Sequence, residues 1–77
     1  MYSVTIYDTQ KKKFKTYEHI HTIKYFSLLQ KWEVFTDDKE ILNHPFPCLC
    51  SYQLISDNAN YCIDRSIIGS IEIKRKI

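Results

Sequence analysis

Tyr17-Glu18-His19-Ile20-His21-Thr22-Ile23-Lys24-Tyr25-Phe26-Ser27-Leu28-Leu29-Gln30-Lys31-Trp32 carries a large apolar side chain at every third position. Tyr17, Ile20, Ile23, Phe26, Leu29 and Trp32 invite a helical reading. At 100° per residue, however, these side chains together with Tyr25 and Leu28 spread around the whole circumference and leave no polar stripe for water. The stretch therefore reads as two strands and a corner, residues 22–27 and then 31–37, with Trp32 and Val34 facing inward. A helix over 17–31 is the alternative reading. Asp37-Asp38 reads as a turn into a short strand at 40–43.

Outward from this stretch the pattern is β throughout. Residues 2–8 alternate Tyr2, Val4 and Ile6 against Ser3, Thr5 and Tyr7, the two-residue period of a strand with one face in a core. Asp8-Thr9-Gln10-Lys11 supplies a hairpin connection, and a second strand from Lys13 would bring Phe14 across from the apolar face of the first. Pro45 and Pro47 remove two backbone donors, so 44–47 is an extended linker. Leu49–Ser56 alternates Cys50, Tyr52 and Leu54 against Leu49, Ser51 and Gln53. Asp57-Asn58-Ala59-Asn60 then turns the chain into a return strand from Tyr61 to Asp64. Ile67 and Ile68 point back to the core, and Gly69 opens a last strand with Ile71 and Ile73 on one face.

A shift of 48 residues sets Tyr2, Val4, Ile6, Phe14, Ile20, Ile23 and Tyr25 over Cys50, Tyr52, Leu54, Cys62, Ile68, Ile71 and Ile73. Every pair is apolar, so two halves of hairpin, turn and strand would flank a central hairpin. Seven or eight short strands in 77 residues imply a single mainly β domain over 1–77, a small antiparallel barrel or half-barrel. The ending Tyr61-Cys62-Ile63-Asp64-Arg65-Ser66-Ile67-Ile68-Gly69-Ser70-Ile71-Glu72-Ile73 resembles the strand, single helical turn and strand that finish SH3-like and Sm-like barrels. That resemblance implies geometry only, because such barrels host many activities.

The chemistry on offer is narrow. Gly69 is the sole glycine, so no phosphate-cradling loop can form. Helical His pairs with a glutamate and glycine-flanked serines are missing, so catalysis is not expected. The first residues contain neither a signal-peptide core nor a span of about 20 apolar residues, which predicts a cytoplasmic protein without a membrane partner. Three cysteines without an export signal read as reduced thiols. His44, Cys48, Cys50 and Cys62 have the residue types of a zinc site, but an i, i+2 cysteine pair on a strand chelates poorly. The expectation is a protein without metal or other cofactor.

Two surfaces are candidates for binding. Tyr7, Tyr17, Phe35 and Phe46 could present rings to a protein partner at small entropic cost. Lys11, Lys12, Lys13 and Lys15, if they converged with Lys74, Arg75 and Lys76, would offer cations to single-stranded or structured nucleic acid. The net charge of +2 is too small to favour nucleic acid by itself. Homo-oligomerisation is compatible with either reading, since a small chain gains core by pairing. Finally, eleven Ile and nine Lys against one Gly and one Ala give a composition that resembles small accessory proteins of phages and mobile elements from low-GC Gram-positive bacteria. The resemblance implies a module acting on a larger host or defence protein, anti-CRISPR inhibitors being one such class.

Overall fold

The computed structural model describes residues 1–76 as eight elements. They are β1 (Tyr2–Tyr7), β2 (Lys13–Ile20), β3 (Thr22–Phe26), β4 (Trp32–Phe35), α1 (Asp38–Asn43), β5 (Tyr52–Ile55), β6 (Asn60–Ile63) and β7 (Ser70–Arg75). Two antiparallel sheets form, β2-β1-β7 and β4-β3-β5-β6. Their inner faces enclose Val4, Ile6, Tyr17, Ile20, Ile23, Tyr25, Tyr52, Leu54 and Ile63, with Ile68 and Ile41 as plugs from a turn and the helix. Along one side the sheets meet through Tyr17 and Tyr61, whose ring centroids are 4.9 Å apart. On the other side, α1 and the linker 44–47 lie between β7 and β4 and leave a groove beside β7, with Phe46 and Ile73 packed on the core. The result is a half-barrel with a helical stopper.

The spacing of three in 17–23 has a specific cause. Tyr2 pairs with Ile20 but Val4 with Tyr17, so two steps on β1 face three on β2. The extra residue forms a bulge, and His19 adopts φ 60° there. Tyr17 and Ile20 therefore both point inward although they are three apart. A second irregularity between Ile6↔Lys15 and Tyr7↔Lys13 leaves Phe14 as the surplus residue, 50% exposed, rather than opposite the apolar face of β1.

Two further expectations are corrected. In β4, Ile23↔Phe35 and Tyr25↔Glu33 form the inner row, so Trp32 and Val34 lie on the outer face and not in the core. One residue of register reverses the face of every side chain. Residues 40–43 belong to a helix and not a strand. Asp37 caps it, its carboxylate accepting from the Lys39 amide at 2.9 Å, and Asp38 and Glu40 sit favourably in the first turn. Thus the helix is at 38–43, whereas 17–31 holds strands and turns.

The 48-residue shift holds in the pairing. Val4↔Ile73 and Ile6↔Ile71 between β1 and β7 become Tyr52↔Tyr25 and Leu54↔Ile23 between β5 and β3. Each half thus lends its third strand to the other half's hairpin. Ile6 faces Lys15 where Leu54 faces Tyr61, a difference of two residues: one lies in the loop, where Tyr7↔Lys13 answers Ile55↔Asn60, and the other is the surplus Phe14. Phe14 and Cys62 are consequently exposed, and the inward counterparts on the return strands are Tyr17 and Ile63. β4 lies beside β3 and has no counterpart beside β7.

Gly69 fastens the start of β7 to the end of β1. Its amide donates to the Tyr7 carbonyl at 2.8 Å, and a Cβ there would press on the Asp8 carbonyl and stand 2.8 Å from the Thr9 Cα. The preceding turn is tied by Asp64, whose carboxylate accepts from the Ser66 amide at 3.0 Å and from the Ser66 hydroxyl. The side-chain bond from Ser66 holds the Asp64 carboxyl below the usual range, aided by its backbone bond and Arg65.

Candidate protein-interaction surface

The four aromatic residues expected at one contact face are dispersed. Tyr17 is buried under Tyr61, with the Lys15 ammonium 5.1 Å from its ring centroid, and burial followed by the neighbouring Tyr61 raises its pKa. Phe35 and Phe46 belong to a cluster with Tyr25, His44 and Tyr52 that closes the open side of the half-barrel. Tyr25 stacks on Phe35 at 5.8 Å and its hydroxyl meets His44 Nε2 at 2.9 Å, while the Tyr52 hydroxyl donates to the Pro47 carbonyl. Burial raises the pKa of both tyrosines, with Cys50 adding to it. Tyr7 is half-buried at the far end of β1, beside Gly69. Tyr17, Phe35 and Phe46 hold the fold, so these four do not form one exposed face.

The basic groups are also apart. Lys13 pairs with Tyr7 at one end of β1, whereas Lys74 and Arg75 pair with Ser3 and Tyr2 at the other. The Lys76 amide continues that ladder to the Met1 carbonyl at 2.8 Å. Three steps along β1 separate Lys15 from Lys74 and five separate Lys13 from Arg75, roughly 10 and 17 Å at strand rise, with β1 itself lying between the two strands. Lys11, Lys12, Lys13 and Lys15 thus do not converge with the tail. Arg75 is paired to Asp38 at 3.2 Å and Lys74 to Glu72 at 3.5 Å.

The zinc-like set is not assembled. Cys50 is buried, Cys48 is exposed and Cys62 is exposed on β6, while His44 Nε2 is engaged by Tyr25. Among the described residues no three His, Cys, Asp or Glu side chains come together as a metal-binding group.

A different surface emerges at the β3–β4 hairpin. Phe26, Leu28, Leu29, Trp32 and Val34 are all exposed, Leu28 at 95%, Leu29 at 77% and Trp32 at 42%. The register places Phe26 opposite Trp32 and Lys24 opposite Val34 on the outer face. The Phe26 and Trp32 rings meet edge to face at 5.4 Å. The tip is closed by Ser27 N to Lys31 O and Gln30 N to Ser27 O, both 2.9 Å, with Leu29 N on Ser27 Oγ at 3.2 Å. Gln30 takes the left-handed conformation that completes the turn, φ 60°. These bonds fix the two leucines outward. By contrast, the outer face of the other sheet is polar: Thr5 meets Thr16 at 2.9 Å and Ser3 donates to Glu18 at 3.0 Å.

Sequence reasoning missed this surface because it turned Trp32 and Val34 inward and gave Phe26, Leu28 and Leu29 no place on either face. The available signal was Leu28-Leu29 at the corner between two strands, where no sheet face exists to bury them. No family model, curated protein or solved structure matches the chain.

Proposed function

We propose that the protein is a non-enzymatic binding module that attaches to a larger protein, of host or defence origin, through the outer side of the β3–β4 hairpin. The carrying observation is the run Phe26–Val34, in which five large apolar side chains stand outside the core on a hydrogen-bonded hairpin. Contiguous exposed apolar surface of this kind marks interaction sites in soluble proteins. Trp32 and Phe26 form a rigid aromatic base, and Leu28 and Leu29 project beyond it. Covering one leucine is worth roughly 1.5–3 kcal/mol before the costs of association. Lys24 and Lys31 border the patch, so the fitting partner offers an apolar recess with an acidic margin. The phage-like composition supports a host or defence protein as that partner.

The test is affinity capture from lysate of a low-GC Gram-positive host, with nuclease and at about 0.3 M salt, where phosphate-driven binding collapses. Wild type is compared with a Leu28→Ser, Leu29→Ser variant whose amide spectrum reports an intact fold. A stoichiometric protein retained by wild type and lost by the variant is the expected result. Equal retention by both, or recovery of nucleic acid alone, overturns the proposal.

A further inference from the structure

We infer that the free edge of β7 is a binding site for a short extended peptide segment, which adds to the β2-β1-β7 sheet as a fourth strand. The site is distinct from the hairpin patch and does not depend on it. A groove of about 340 Å³ runs beside β7, lined by Ile71 and Ile73 on one wall and by Ile41, Leu42 and Phe46 among others on the opposite one. The ladder between β1 and β7 fixes which backbone groups are free. Lys76 N donates to Met1 O, and the register continues through Ser3↔Lys74 and Thr5↔Glu72. In an antiparallel pair alternate residues turn their amide and carbonyl the other way, so those of Ile71, Ile73 and Arg75 point to the free edge. Among the described residues no backbone hydrogen bond joins β7 to α1 or to the linker.

The fold itself shows what fits such an edge. β3 is the counterpart of β7 under the 48-residue shift, Ile23 standing for Ile71 and Tyr25 for Ile73. β3 is covered by an antiparallel strand, β4, which places Phe35 opposite Ile23 on the core side. The segment that fits β7 is therefore antiparallel and places a large apolar side chain opposite Ile71, into the groove. Its neighbours point outward beside Glu72 and Lys74, which are exposed. Main-chain bonds would give affinity and the groove would give selectivity, as in other strand-addition sites. At the Arg75 end the Asp38 ion pair, together with the Tyr2 hydroxyl on the same carboxylate, pins α1 and limits the segment to a few residues.

The probe is a synthetic peptide of residues 31–37, the β4 sequence, titrated to millimolar concentration into the intact, isotopically labelled protein. In the free protein, the Ile71 and Ile73 amides are expected to exchange with solvent at least about tenfold faster than those of Glu72 and Lys74. The peptide is expected to shift the Ile71 and Ile73 resonances saturably and slow their exchange, while a scrambled peptide of the same composition does not. Protection of Ile71 and Ile73 in the free protein overturns the inference. So do an absence of shifts, shifts confined to Ile23 and Lys24, which report replacement of β4, and shifts confined to Phe26 and Trp32, which report the hairpin patch.

Discussion

Single residues decide where this chain tolerates change. Gly69 is required by a close backbone approach, so Gly69→Ala is expected to destabilise by roughly 3 kcal/mol in denaturant titration. Tyr17→Ala is expected to cost a similar amount, about 3 kcal/mol, because the ring fills the seam between the sheets. Leu28→Ser is expected to change stability by less than about 0.5 kcal/mol, since its side chain touches solvent. The depressed pKa of Asp64 sets a pH dependence of known sign. Its stabilising contribution is present above the pKa of the unfolded chain and is lost as pH falls through the folded value. Thermal unfolding of Ser66→Ala against wild type is expected to show a deficit at neutral pH that disappears in acid. A deficit independent of pH would assign Ser66 another role. Tyr17 also marks the boundary of sequence reading: its residue type suits a core and a contact face equally, and only the bulge below it selects the core.

At the scale of elements, β1 and β5 were legible because strict alternation survives in Tyr2–Tyr7 and Cys50–Leu54. The return strand β2 was harder, since a bulge at His19 changes its phase and turns a period of two into an apparent period of three. That conformation is testable. His19→Val is expected to destabilise by about 1–2 kcal/mol through its left-handed backbone, whereas His19→Gly is not. The helix α1 was misread as a strand although its start is written in Asp37, Asp38 and Glu40 and its stop in Pro45. With one buried residue, Ile41, it lacks an apolar stripe, so capping is its only strong sequence signal. Asp37→Ala is accordingly expected to cost about 1 kcal/mol.

For the whole molecule, the 48-residue correspondence explains why two three-strand units build one core, and why each sheet contains a strand from the other half. It does not extend to β4, which gives the second sheet an apolar outer face where the first has Thr5, Thr16, Ser3 and Glu18. This asymmetry was not legible in composition, because Trp32 and Phe26 count as hydrophobic wherever they point. The most direct measurement places a photocrosslinking benzoyl-phenylalanine at Leu29 or, as comparison, at Phe14 on the opposite sheet, in protein exposed to host lysate. Both positions are exposed, so label accessibility does not distinguish them. Crosslinking to a single protein from position 29 and not from position 14 is the predicted result; crosslinking from position 14 alone would contradict the assignment of the β3–β4 hairpin as the contact surface.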